Sequence, residues 1–158
     1  MEGIKISLAK ALKLKNRLAG RLAAANRDVA EYNSVLVAQK DNFSVEKALK
    51  LHSELISALV ELKTSIYKGN VSIQRELYLL SETKSEIQLY SSLNTRDGVE
   101  KHGYANSDVE YFAFLKKQDV DDKVKKLEAE VDRLQDVVDE YNHTCKIEVA
   151  QRTLDLAS

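Results

Sequence analysis

Hydrophobic positions in the last third of the chain recur in a four-three pattern: Val120, Val124, Leu127, Val131, Leu134, Val138, Tyr141 and then Cys145. On a heptad, Val124, Val131, Val138 and Cys145 fall at a, and Val120, Leu127, Leu134 and Tyr141 at d. An α-helix turns once in about 3.6 residues, so a seam repeating every 3.5 stays dry only against another helix. The pattern predicts a helix over about residues 119–155, with Asp119 as its N-cap and Asp121 and Asp122 favourable in its first turn. Valine at a with leucine at d suits a two-stranded seam.

The first segment shows the same spacing. Leu8, Ala11, Leu18, Leu22, Ala25, Val29, Tyr32 and Leu36 predict a helix over about residues 4–40. Gly20 interrupts it at a cost near 1 kcal/mol relative to alanine. With Ala19, Ala23, Ala24 and Ala25 it makes a small-residue patch open to close approach by another helix. A break at residues 41–44 leads to a second helix, about 44–68, with Ser44 as N-cap and the stripe Ala48, Leu51, Leu55, Leu59, Leu62 and Ile66. Gly69 is placed to end it in the left-handed C′ conformation. A third helix, about 72–93, carries Ile73, Leu77, Leu80, Ile87 and Tyr90.

The character then changes. Residues 94–108 hold two glycines among clustered turn formers and predict a loop. Residues 109–115, Val-Glu-Tyr-Phe-Ala-Phe-Leu, are aromatic and partly alternating, the best strand candidate. A lone strand leaves its backbone groups unpaired. Its partner is either a segment near Val99–Tyr104 folding back as a hairpin, or the same strand of another subunit, which is the favoured arrangement.

Together these elements define a mainly α chain. One helical domain spans residues 1–158, its long antiparallel helices forming a coiled-coil-like bundle with one short β element before the C-terminal helix. Composition agrees: proline and tryptophan are absent, five residues are glycine, and 31% are charged, so little interrupts helical hydrogen bonding. The seams are long and narrow for one chain to cover, which points to a homo-oligomer packed through Leu18, Leu22, Val29 and Leu36 of the first helix and Val120–Tyr141 of the last.

Charge divides the chain. Residues 3–27 carry seven basic side chains and no acidic one, whereas residues 119–140 are predominantly acidic. The two helices are expected to lie near each other, within a chain or between subunits, with charge setting orientation. The other reading makes the first helix a basic amphipathic surface for lipid or nucleic acid, weakened by its alanine-rich apolar side. A formal net charge of −1 argues against general nucleic-acid binding. No run of about 18 apolar residues occurs, and lysines interrupt the N-terminus, so neither a spanning helix nor an export signal is read; the cytoplasm is the expected location. One cysteine at a core-type position excludes an intramolecular disulfide.

Candidate chemistry is sparse. His143 and Cys145 diverge by about 200° on one helix and do not converge on a metal. His52 flanks an apolar stripe as a packed or interfacial residue. Glu128 and Asp132 have Lys125 and Arg133 beside them and read as a solvated, salt-bridged face. His102, Tyr104 and Asp108 in the glycine-containing loop are the one cluster resembling a ligand site. No nucleophile–base pairing or phosphate loop accompanies them, so neither enzyme activity nor a cofactor is expected.

Three short motifs carry a family resemblance. Ile66-Tyr67-Lys68-Gly69-Asn70 is similar to an Ile-x-x-x-Asn turn, and Val109–Phe112 through Asp119-Val120-Asp121 resembles a strand followed by a Val-Asp helix start. Asp139-Glu140-Tyr141-Asn142-His143-Thr144 is similar to a Gln-Glu-x-Asn-Trp-Thr signature, departing from it at Asp139 and His143. In these features and in the order of elements the chain resembles the septicolysin-like family, small bacterial helical proteins mostly of unknown function. The family label implies a membrane-perforating cytolysin, for which these residues supply neither a pore-forming strand pair nor a spanning segment.

Overall fold

The computed structural model describes residues 3–40, 42–101 and 108–158. It is mainly α, with antiparallel helical hairpins and a short antiparallel strand pair ahead of the last long helix. The chain forms two compact units. One contains the residues up to Ser72 together with Asp139–Ser158, and the other contains Ile73–Val138.

The first unit begins with a strand where a helix was expected. Strand β1 (Gly3–Ser7) pairs antiparallel with β4 (Lys146–Ala150), placing Ile6 opposite Ile147 and Ile4 opposite Val149. Ile6, Ile147 and Val149 are buried. The two strands take the ends of what helical spacing assigned to residues 4–40 and 119–155. Both segments alternate β-branched and charged residues, Ile-Lys-Ile and Ile-Glu-Val, which suits a half-buried ladder.

Helix α1 (Leu8–Tyr32) starts on a Ser7 cap, whose hydroxyl accepts from the Lys10 N–H at 3.3 Å. It buries Leu8, Ala11, Leu14, Leu18 and Ala25 against the stripe Leu55, Ala58, Leu59, Leu62 and Ile66 of α2 (Val45–Asn70). Ser44 caps α2 as expected, accepting from the Lys47 N–H at 3.3 Å. The basic helix thus has its packing partner in α2.

Helix α1 stops at Tyr32, well short of residue 40. Asn33 and Ser34 offer the backbone local alternatives to helix, and Val35, Leu36 and Val37 are all exposed in the connection. Leu36, expected in the seam, is 71% exposed. The small-residue patch is also open: nothing lies within 4 Å of where a Cβ on Gly20 would sit.

Gly69 has a different role from the one expected. Helix α2 continues through it to Asn70, and its φ is not positive. A Cβ there would come within 2.7 Å of the Ile147 Cγ2 and 3.1 Å of the Leu8 Cδ2. The glycine is needed because the end of α2 lies directly on β4 and the start of α1. Helix α5 (Gln151–Ala157) completes this unit, burying Thr153 and Ala157.

In the second unit, α3 (Gln74–Ser92) and α4 (Lys117–Thr144, of which the part to Val138 belongs here) run antiparallel. Glu86 of α3 pairs with Lys123 of α4 at 3.2 Å, and the same ammonium lies 5.4 Å from the Tyr90 ring centroid. Val120, Leu127 and Leu134 at d and Val138 at a are buried, whereas Val124 and Val131 at a are half-buried, and α3 contributes only Leu80 as a buried residue. Helix α4 starts two residues before Asp119. Asp119 occupies the third helical position and accepts from the Lys116 N–H at 3.2 Å, the reach-back half of a capping box.

Candidate functional site

The residues between α3 and α4 are where this fold places chemistry-bearing side chains in the open. Strands β2 (Gly98–Lys101) and β3 (Asp108–Tyr111) pair antiparallel, with Gly98 opposite Tyr111 and Glu100 opposite Val109. The aromatic strand therefore finds its partner within the chain, which corrects the favoured pairing between subunits. It is also shorter than residues 109–115. Gly98 has φ +90°, which turns the backbone away and ends the ladder. Asp97 then takes over, its Oδ1 accepting from the Ala113 N–H at 3.1 Å and pairing with the Lys116 ammonium. These bonds, the one to Lys116 first, hold the Asp97 carboxyl below its ordinary pKa.

That anchor fixes the direction of the next side chains. Ala113 points inward and is buried, while Phe112 and Phe114 on either side point out, 73% and 92% exposed. Their rings meet edge to face at 5.2 Å, and Lys116 lies 4.9 Å from the Phe112 ring centroid. Leu115, Val99 and Val109 are exposed nearby in sequence or across the ladder. Two residues before β2, Arg96 sits over Tyr111 of β3, 5.5 Å from its centroid, and approaches Glu100 of β2 at 3.7 Å. The result is an aromatic tip with fixed orientation, flanked by the ion pairs Lys116–Asp97 and Arg96–Glu100. Largely exposed phenylalanines are costly to leave in water and are common where a partner covers them.

The loop cluster expected from sequence is only partly placed. Asp108 is exposed at the start of β3, whereas His102 and Tyr104 lie outside the described residues. The expected seam divides more clearly. Leu18, Val120, Leu127, Leu134 and Val138 are buried inside the chain; Leu22, Val29, Val124, Val131 and Tyr141 are half-buried. Most of this seam is thus spent on intrachain packing.

His52 is half-buried on α2. The His143 Nδ1 donates to the Asp139 carbonyl at 2.7 Å, one helical turn back. Among the described residues no group of three histidine, cysteine or acidic side chains is arranged to hold a metal. Two of the resembling motifs do meet. The Tyr141 hydroxyl donates to the Gly69 carbonyl at 2.7 Å, satisfying an acceptor that the end of α2 would leave open. Hydrogen bonding with Cys145, and then burial, raise the Tyr141 phenol above its ordinary pKa. This junction ties α2 to the last turn of α4 within the first unit.

A shallow groove near the α1–α2 connection has Ala24, Ala25, Ala48 and Leu51 among its apolar lining, with Arg21, Asp28 and Lys47 as its charged groups. It contains no nucleophile–base pair. The apolar residues of α1 that a lipid surface would have to engage, Leu8, Ala11, Leu14 and Leu18, are in the core. Among the described residues no helix is long and apolar enough to cross a membrane. Comparison with known proteins found no matching family model, no matching curated sequence and no matching solved structure.

Proposed function

We propose that this protein is a cytoplasmic, self-associating structural module that engages a protein partner through the aromatic tip formed by Phe112, Phe114 and Leu115. The observation that carries the reading is the outward fixing of two phenylalanines by the Asp97–Ala113 hydrogen bond, beside a helix, α4, that buries its own heptad residues. Aromatic anchors in such a position supply most of the energy of a protein contact, while the charged groups around them contribute selectivity. The role is non-enzymatic. Membership of the septicolysin-like family belongs to the same proposal and rests on the three short motifs.

The membrane-active role implied by that family name is the weaker reading, because α1 has already committed its apolar face to the core. The test is affinity capture from the source cytoplasm with the wild-type chain and a Phe112→Ser/Phe114→Ser variant of equal helicity. A protein recovered by the wild type and lost by the variant is the expected result. Identical recovery by both would remove the tip from the account.

A further inference from the structure

Helix α2 has a second apolar stripe that nothing in its own unit covers. Leu49, Ile56, Val60 and Tyr67 are all exposed. At 3.6 residues per turn they fall within about 40° of one another, roughly a third of the circumference from the buried stripe. Their intervals are seven, four and seven residues, a spacing that reads the same in both directions. Its midpoint, Ala58, is also the middle of α2.

From this symmetry we infer that the exposed stripe of α2 is the self-association surface, pairing antiparallel with α2 of a second copy. The two-fold axis crosses the seam at the level of residue 58, on the face opposite the buried Ala58. The inference rests on reading the protein as self-associating and adds the surface, the symmetry and the register. A two-fold interface requires that when residue i meets j, j also meets i. Here Leu49 meets Tyr67 of the second copy, and Ile56 meets Val60, each contact occurring twice. At an intermediate level Ser53 and Lys63 of the second copy lie on opposite flanks of the seam, where the long lysine stem covers apolar surface while its ammonium reaches water.

Charge supports the same direction. Glu46 in the first turn of α2 and Lys68 in the last are exposed, and neither has an ion-pair partner among the described residues. Antiparallel pairing brings Glu46 of each copy beside Lys68 of the other and opposes the two helix dipoles. A parallel pair would set Glu46 against Glu46 and Lys68 against Lys68. Pairing about the helix middle also overlaps the two helices along their whole length.

The test is sedimentation equilibrium on three samples of the full chain: Ile56→Glu alone, Val60→Lys alone, and an equimolar mixture of the two. Both positions are exposed, and unchanged circular dichroism confirms that each variant folds. The wild type is expected to sediment as a dimer of the 17.8 kDa chain. Each variant alone is expected to dissociate about 100-fold more readily, since the change is felt at two equivalent contacts. The mixture should regain the dimer. Only the mixed pair sets the introduced glutamate against the introduced lysine at one contact and keeps the native Val60 against the native Ile56 at the other. Dissociation of both variants without recovery on mixing overturns the register. A wild-type oligomer indifferent to both substitutions overturns the surface but leaves self-association standing. A wild-type monomer at tens of micromolar overturns both.

Discussion

The two helical hairpins of this chain use similar apolar spacing and arrive at different cores. In the first unit, α1 and α2 are closed at one end by the β1–β4 ladder and by α5, so Leu8, Leu18, Leu55 and Leu62 are almost fully buried. In the second, α4 supplies a regular buried stripe, yet α3 returns little beyond Leu80, and many facing positions are half-buried. A heptad pattern therefore fixes which face of a helix is dry but not how deep the core becomes. Depth comes from a third layer, which only the first unit has. The thinner unit carries the aromatic tip proposed as the partner contact, and ligand-binding regions are commonly drawn from the less stable parts of a fold.

Matched truncations would break this comparison most forcefully. Leu62 and Leu134 are each 1% exposed. Alanine at either should cost about 2–5 kcal/mol, and Leu62→Ala should lie nearer the upper end because its neighbours are held from three sides. Urea denaturation of both variants checks the order; a larger loss for Leu134→Ala would reverse the ranking of the two cores. Neither change should alter the mass of the folded species, since both residues are internal to the chain.

A smaller effect probes how the first unit is closed. Gly69→Ala should destabilise by about 1–3 kcal/mol, the usual cost of overpacking, because the new methyl meets Ile147 and Leu8. If the residue merely permitted helix termination, or were an ordinary exposed helical position, alanine would be neutral or stabilising. Thermal unfolding of the variant distinguishes these outcomes.

The smallest expected effect concerns the tip. The Asp97 carboxyl titrates below its ordinary value in the folded chain, so its contribution is present above the unfolded pKa and is lost as pH falls through the lowered one. The Ala113 amide proton, followed by NMR from about pH 6 downward, should hold its position past the ordinary carboxylate range and shift only below it. Asp97→Asn should abolish that titration. A shift centred at or above the ordinary value would show that the clamp does not form in solution.

Much of the helical architecture was legible in the chain because it depends on local spacing. The burial of Val120, Leu127, Leu134 and Val138, the Ser44 cap and the β element before α4 all follow from residues within a few turns of each other. The missed features depend on residues far apart. Ile4-Lys5-Ile6 and Ile147-Glu148-Val149 each carry a period-two signal, but three residues beside a strong helical pattern are read as its continuation. Only the pairing of the two segments makes them strands. Gly69 is likewise explained by Leu8 and Ile147, and the end of β3 by Asp97 and Gly98. For the site, the aromatic run at residues 111–115 stood out in the sequence, and its alternation was the available sign that Phe112 and Phe114 share a side. What turned it outward was the Asp97 side chain capturing the Ala113 amide, a contact no periodicity announces.

Residue-resolved native-state hydrogen exchange on the full wild-type chain tests the contrast between the deeply cored first unit and the thinly cored, tip-bearing second unit most directly. Amides around Leu14–Leu18 and Leu55–Leu62 should exchange only through the largest opening free energies. Those of α3 from Leu77 to Ile87 should open well below them. Equal protection of α3 and α2 would contradict the account.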